Sequence, residues 1–166
     1  EKNAMVIQTE KTSSTVNFAV WDQKGKRHRT QAKKAVRKGT WHHVAAVFGR
    51  SGMVFYLDGR RVDTDKYEGG MEEVRGGNYY IGKSNWPKDK MFQGHMTELR
   101  VWNRRLSAKE IEKRKDRLLT MQEEGLVGYW QLNALDGNTV PDARPLGQAA
   151  TVVGSPRVVS VPAISR

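Results

Sequence analysis

Apolar and polar residues alternate along several short stretches of the chain, with the two-residue period of a half-buried β-strand. The clearest stretches are Trp41–Phe48, Met53–Leu57 and Asn78–Lys83, and weaker ones cover residues 4–8, 15–21 and 27–32. Turn-forming residues separate them, among them the Asp58–Gly59 dipeptide, which is typical of a tight hairpin turn. The pattern therefore predicts a series of antiparallel hairpins.

The later part of the chain combines strands with one helix. Residues 92–102 have strand character, and Ser107 followed by Glu110 matches a helix capping box. Ile111, Leu118 and Leu119 then recur at helical spacing, which predicts a short helix at about 108–119. Strand-like segments resume at 125–132, 149–153 and 157–161. This order predicts an all-β fold, an antiparallel two-sheet sandwich with one short late helix.

Composition limits the possible classes of protein. The 166 residues, 37% of them hydrophobic, suit a single domain over 1–166. The chain has no cysteine, so it forms no disulfide. No apolar run approaches the roughly 20 residues that cross a bilayer. We therefore expect no membrane span.

The formal charge of +11 indicates affinity for polyanions. Much of the excess lies between residues 24 and 38, which include eight basic residues and no acidic one: Lys24, Lys26, Arg27, Arg29, Lys33, Lys34, Arg37 and Lys38. On a strand these side chains would form two rows with a spacing of about 7 Å, which suits a polyanion. A second interpretation stays open, because charged edge strands also prevent unwanted pairing between chains.

Candidate catalytic groups are scarce. Glu98 is the only acid on its predicted strand and Arg100 follows it, so we predict a structural ion-pair or hydrogen-bonding residue rather than one of a glycosidase carboxylate pair. His42 and His43 are neighbours on a strand and point to opposite faces, which prevents joint binding of one metal ion. No cysteine nucleophile or Gly-x-Ser-x-Gly elbow is present. The sequence predicts that the protein is not an enzyme.

The tryptophans divide into two groups. Trp21, Trp41, Trp102 and Trp130 lie in strand-like segments and are predicted to pack in the core or between the sheets. Trp86 precedes Pro87 in a loop, where it is either an exposed stacking surface or a loop anchor. The predicted ligand-binding residues are Lys24, Lys26, Arg27, Arg29, Lys33, Lys34 and Trp86.

An ordered series of segments resembles the laminin-G-like, concanavalin A-like jelly roll, a fold related to that of pentraxins. The series is Gly39–Val44, Phe55–Gly59, Tyr80–Gly82, Phe92–Gly94, Glu98–Arg104, Leu106–Ile111 and Gly125–Trp130, with Asp142 downstream. The resemblance covers about residues 39–160. It implies a lectin-like binding or adhesion domain with an extracellular or cell-surface location.

Two departures from the family pattern bear on function. Family members carry further strands before the point where this chain begins, so we expect the vacant sheet position to be filled by the Tyr129–Trp130 region or by a partner, unless the chain is an excised piece. The stretch that matches the pentraxin calcium site is Ser84–Lys90, in which lysines would repel a cation. We therefore predict no calcium site and no cofactor.

Three functions follow from these observations. The first is a non-catalytic module that binds an acidic carbohydrate or an acidic protein surface. The second is a structural domain that docks in a large assembly through its basic face and open sheet edge. A glycoside hydrolase has only the resemblance in its favour. Sequence-specific nucleic-acid binding is disfavoured because no recognition motif accompanies the charge.

Overall fold

A computed structural model describes residues 3–10, 13–74 and 78–160. Its strands are β1 (Ala4–Thr9), β2 (Val16–Trp21), β3 (Arg27–Ala32), β4 (Val44–Val47), β5 (Met53–Leu57), β6 (Arg60–Asp65), β7 (Leu99–Trp102), β8 (Leu126–Trp130), β9 (Thr139–Val140) and β10 (Ala150–Thr151), and α1 is Ala108–Arg114. A 3₁₀ turn spans Met71–Glu73. Lys11 and Thr12 of the first predicted turn, the Gly76–Gly77 loop and Val161 lie outside the described residues.

Two antiparallel sheets form the first of two compact units, which holds the described residues up to Gln93 together with Ser107–Lys115. Their strand orders are β1-β2-β3 and β4-β5-β6. Both sheets contribute to one buried cluster, which contains Val16, Phe18, Val20, Ala32, Met53, Phe55, Leu57 and Val74. The predicted all-β, antiparallel sandwich is thereby confirmed.

Alternation along β2 gives the first sheet two distinct faces. Val16, Phe18 and Val20 point into the buried cluster, which defines the inner face. Asn17 and Trp21 alternate with them and lie on the opposite, outer face.

The β5–β6 hairpin turns at Asp58–Gly59, as predicted. Both residues have positive φ, 52° and 81°, the combination that a two-residue hairpin turn requires and that glycine adopts without a Cβ penalty. β6 itself was not predicted, because its sequence, Arg-Arg-Val-Asp-Thr-Asp, lacks an apolar alternation.

The helix begins at its predicted capping box. Ser107 Oγ accepts the Glu110 N–H and the Glu110 carboxylate accepts the Ser107 N–H. The predicted end at residue 119 is wrong, since α1 stops at Arg114. Leu119 packs instead with Leu126 and Tyr129 in a second buried cluster.

The second unit holds Gly94–Leu106 and the described residues from Asp116 onward. β7 pairs with β8 and β9 pairs with β10, both antiparallel. Within the described residues β8, which covers the Tyr129–Trp130 region, pairs with β7 in a separate two-stranded sheet. What fills the vacant sheet position that the resemblance implies therefore stays a prediction.

Other predicted strands differ from the structure. Asn78–Lys83 forms no strand, and neither do residues 157–160. The strand predicted from Trp41 begins only at Val44. Just before it, the Asp58 N–H still donates to the His43 carbonyl oxygen at 2.8 Å. Side-chain hydrogen bonds join this backbone bond, because the His43 N–H donates to Asp58 Oδ1 at 2.8 Å and the Arg37 N–H to His42 Nε2 at 3.2 Å.

Candidate functional site

The outer face of the first sheet carries polar and aromatic side chains from adjacent strands. Cross-strand register places Arg27 opposite Trp21 and Gln31 opposite Asn17. Residues that lie directly opposite each other share a face. We use the term ligand face for the outer-face residues Asn17, Trp21, Arg27, Arg29 and Gln31, together with Trp86, which packs on Trp21.

Trp21 is the centre of this face. The Trp86 ring lies 5.3 Å from the Trp21 ring, centroid to centroid, at an interplanar angle of 50°. The Arg27 guanidinium carbon lies 5.1 Å from the Trp21 ring centroid, within cation–π range. Both tryptophans are half-buried and Arg27 is exposed. Two indoles and one cation therefore share a surface that solvent reaches.

Asn17 lies in the same face and is fully buried. Its Oδ1 accepts a long hydrogen bond of 3.5 Å from Arg27 Nη2. Its Nδ2 has no hydrogen-bond partner in the described part of the chain. A buried amide donor without an acceptor is costly, and in native proteins such a group usually has a partner such as an ordered water.

The β2–β3 turn is organised by Asp22. Its Oδ1 accepts the backbone N–H groups of Lys24 and Lys26, both at 2.9 Å, and its Oδ2 lies 3.1 Å from His28 Nε2. The hydrogen bond from His28, followed by those from the two backbone groups, lowers the pKa of Asp22 against the opposing effect of desolvation. The turn therefore holds two exposed lysines at the end of the sheet where Arg27 begins β3.

The structure separates the predicted ligand-binding residues. Lys24, Lys26 and Arg27 lie at the turn, and Arg27 and Trp86 meet on Trp21. Arg29 is ion-paired with Glu10 at 3.0 Å. Lys33 and Lys34 follow the opposite end of β3, roughly 20 Å away by the strand rise. The expected two rows of cations are absent from β3, whose only basic residues besides His28 are Arg27 and Arg29 on one face.

Sequence reasoning placed Trp21 in the core, and this was wrong. The available signal was the β2 alternation, which sends Val16, Phe18 and Val20 to one face and therefore Asn17 and Trp21 to the other. Trp41 is 43% exposed and is not a core residue either. Trp102, in contrast, packs against the second buried cluster.

Comparison with known proteins assigns the family. The sequence model of Laminin_G_3, described as the concanavalin A-like lectin/glucanases superfamily, matches residues 2–112. The chain belongs to this superfamily. The match starts well before Gly39, the first residue of the resemblance seen in the sequence, and it ends within α1. Strands β8 to β10 therefore lie beyond it.

Other comparisons add little. No curated protein matches the chain. Among solved structures, an S-layer domain-containing protein from Clostridium thermocellum ATCC 27405 is similar, with 24% identity and a TM-score of 0.41. The alignment covers 66% of this chain, which spans 54% of the length of that structure.

The superfamily name includes glucanases, and glycoside hydrolysis ordinarily requires a pair of free carboxyl groups. Glu98 Oε2 accepts the Tyr129 hydroxyl at 2.7 Å and an Arg100 N–H at 2.6 Å, which confirms the predicted ion pair. Desolvation, and then the Glu98 hydrogen bond, raise the pKa of Tyr129, so this hydroxyl stays protonated and donates to the carboxylate. Glu98 is thus held in a structural network.

A histidine–aspartate pair in the first unit is likewise structural. His42 Nδ1 lies 2.9 Å from Asp58 Oδ2, and His42 Nε2 accepts the Arg37 N–H at 3.2 Å. Since Nε2 must be unprotonated to accept this bond, the proton resides on Nδ1 and is shared with Asp58. The nitrogen that a general base would use is already engaged.

Metal binding finds little support in the residues present. Within residues 3–10, 13–74 and 78–160, no group of three or more His, Asp or Glu side chains is arranged to hold a metal ion. In the loop that matches the pentraxin calcium site, Asp89 is the sole carboxylate and lies between Lys88 and Lys90. These residues do not fit calcium, which prefers six to eight oxygen ligands.

No helix in the described chain is long and apolar enough to cross a membrane.

Proposed function

We propose that the chain is a non-catalytic binding module that recognises an acidic partner. The binding surface is the end of the first sheet that carries the β2–β3 turn with Lys24 and Lys26, and the start of β3 at Arg27; we call it the turn end. We also propose that it acts outside the cell or at the cell surface. Membership of a superfamily that includes lectins supports both proposals. The structural network around Glu98 supports the absence of glycosidase activity.

One observation carries the binding proposal. Within the described residues, Lys24, Lys26 and Arg27 form no ion pair, whereas their neighbour Arg29 is neutralised by Glu10. Asp22, the nearest acid in sequence, is itself committed to the turn backbone and to His28. Three exposed cations at one end of a sheet, held by a rigid turn, leave their charge available to a ligand.

Affinity chromatography on heparin and on alginate tests the proposal. We expect elution well above physiological ionic strength, about 0.15 M, because several ionic contacts form together. A triple variant, K24Q/K26Q/R27Q, should elute much earlier. Elution of the unaltered chain at or below physiological salt would contradict the proposal.

The chain offers a matched control for this experiment. The variant K33Q/K34Q/R37Q removes the same three charges but does so beyond the other end of β3. We expect it to shift elution only slightly. Equal shifts for the two triple variants would show that net charge, and not the turn end, determines binding.

A second candidate function rests on a different observation. Several large apolar side chains between residues 79 and 92 are exposed, including Tyr79 at 66% and Met91 at 69%. Such exposure is typical of surfaces that another protein covers, which favours a structural domain in an assembly. That function predicts self-association or aggregation of the isolated chain. A monodisperse monomer in analytical ultracentrifugation, with a cooperative thermal transition, would argue against it.

A further inference from the structure

We propose that Trp21 and Trp86 form a stacking platform for a hexuronate residue of an acidic polysaccharide, whose carboxylate binds Arg27. This inference rests on the proposed function and names its ligand class. It also gives Asn17 a role, as the donor to a ring hydroxyl or carboxylate oxygen of the same sugar.

The platform has the apolar surface that a sugar ring needs. The two rings lie 5.3 Å apart, centroid to centroid, and their planes are tilted by 50° rather than stacked in parallel. Both side chains remain partly accessible to solvent. A pyranose ring presents C–H groups on one face, and these pack favourably on the electron-rich face of an indole. Binding sites of this kind combine aromatic walls with a few placed polar groups.

Arg27 is preorganised for a carboxylate. Its guanidinium is positioned over Trp21 at 5.1 Å, which restrains a flexible side chain before any ligand arrives. Its one hydrogen bond among the described residues is the 3.5 Å contact with Asn17 Oδ1. The remaining N–H donors form the fork that matches a carboxylate, and a lysine at this position would lack that geometry.

Asn17 explains why the site favours a polyhydroxylated ligand. Its unpartnered Nδ2 is buried beside the side chain of Arg27, whose Nη2 contacts Asn17 Oδ1. A small shift of Arg27 toward a ligand carboxylate would expose this donor to a ligand oxygen. Satisfying a buried donor removes an existing penalty, so the ligand gains more than the bond alone.

The aromatic pair also distinguishes a uronate from an acidic peptide. Lys24, Lys26 and Arg27 attract any polyanion, but a glutamate chain has no flat apolar face to cover two indoles. A polyuronate repeats a carboxylate and a ring in every residue. We therefore expect the charge of the turn to set general affinity and the platform to set selectivity.

Isothermal titration with three ligands tests the inference: oligogalacturonate, its fully methyl-esterified form, and polyglutamate of equal charge number. The full chain should bind oligogalacturonate more tightly than polyglutamate, and the neutral ester weakly. W86A should weaken oligogalacturonate binding about tenfold, or about 1.4 kcal/mol, and leave polyglutamate binding within about twofold. W86F should restore most of the loss.

Controls make the possible outcomes separable. W41A removes another exposed tryptophan and should change neither affinity. R27K retains charge and should reduce oligogalacturonate affinity selectively. Equal weakening of both polyanions by W86A, or no weakening by either W86A or R27K, would overturn the platform while leaving the proposed function intact. Failure of the unaltered chain to bind either polyanion would overturn both proposals.

Discussion

Two arginines in this protein lie at similar distances from an aromatic ring but differ in solvent exposure and in the groups that they bind. The Arg27 guanidinium carbon lies 5.1 Å from the Trp21 ring centroid, and that of Arg100 lies 5.6 Å from the Tyr129 ring centroid. Arg27 is exposed and, in the described part of the chain, makes one long hydrogen bond. The Arg100 side chain is only 9% exposed, pairs with Glu98 and donates to the Arg117 carbonyl oxygen. The Arg27 guanidinium is exposed, where a ligand can reach it, whereas that of Arg100 is largely buried and binds groups of its own unit.

The same contrast extends to the surrounding groups. Near Arg27, Asn17 Nδ2 has no partner among the described residues, and two lysines are exposed. Near Arg100, the Tyr129 hydroxyl donates to Glu98 and accepts from Gln131 Nε2 at 3.3 Å and the Leu119 N–H at 3.4 Å. Residual hydrogen-bonding capacity, more than charge itself, therefore distinguishes a candidate ligand site from a structural cluster.

The largest expected effect comes from breaking the Arg100 network. R100A should lower the free energy of unfolding by about 3 kcal/mol or more, because it leaves a largely buried carboxylate without its cation. Urea denaturation followed by tryptophan fluorescence measures the loss. A loss below about 1 kcal/mol would mean that Arg100 is no more structural than a surface arginine.

Asp142 anchors the same unit and adds a dependence on pH. Its side chain is fully buried, accepts the Tyr129 N–H at 3.2 Å and pairs with Arg144 at 2.8 Å. Burial acts to raise the pKa of Asp142, but the hydrogen bonds from Arg144 and Tyr129 outweigh it and the pKa is lowered. D142N should cost about 2 kcal/mol at neutral pH, since it removes the charge from a buried, bonded pair.

The sign of the pH effect follows from that lowered pKa. The stabilisation is present above the unfolded value, about 3.9, and is lost as pH falls through the folded value. The unaltered chain should therefore lose stability below about pH 4 more steeply than D142N does. Equal slopes in thermal melts across pH 2–6 would contradict this role, and D136N, at an exposed aspartate, serves as control.

A smaller effect should follow removal of one hydroxyl. Y129F deletes the group that links Glu98, Gln131 and Leu119 and should cost about 1–2 kcal/mol. Y80F removes the hydroxyl of a tyrosine that is 42% exposed and that, among the described residues, accepts a single 3.4 Å bond from Asn78, so it should be nearly neutral. Similar losses for the two variants in parallel denaturation curves would show that the Tyr129 network contributes nothing specific.

The smallest effect on stability should come from Arg27. R27A should lower the free energy of unfolding by less than about 1 kcal/mol, because it removes only a long hydrogen bond to Asn17 Oδ1 and an exposed contact with Trp21. Its oligogalacturonate affinity should nevertheless fall. A destabilisation equal to that of R100A would remove the distinction between the two arginines.

Local pattern predicted much of the fold. The apolar alternation located β1, β2, β3 and β5, and the Ser107–Glu110 box located the start of α1. It failed where distant contacts decide the outcome. Leu118 and Leu119 follow Ile111 at helical spacing, yet α1 ends at Arg114. Leu119 lies beyond the helix and packs on Tyr129. The pattern of Asn78–Lys83 predicts a strand, but this segment has no strand partner among the described residues. Strand formation depends on whether a sheet edge is available for pairing, and the local sequence does not show this.

The candidate site was only partly predictable. Charge density identified the turn lysines and Arg27, and loop context singled out Trp86. The contact of Trp86 with Trp21 could not be read from the sequence, since it joins residues from distant segments. The neutralisation of Arg29 by Glu10 was hidden for the same reason. Period-two counting along β2 would have placed Asn17 and Trp21 on the outer face.

The central claim is that the ligand face of the first sheet holds an acidic sugar. Titration of ¹⁵N-labelled protein with oligogalacturonate tests it most directly, because each of the five tryptophans gives a separate indole N–H signal. We predict saturable shifts of the Trp21 and Trp86 indole signals and of the Asn17 side-chain amide, with Trp102 and Trp130 unmoved. Shifts confined to other signals, with Trp21 and Trp86 unchanged at saturation, would contradict the account.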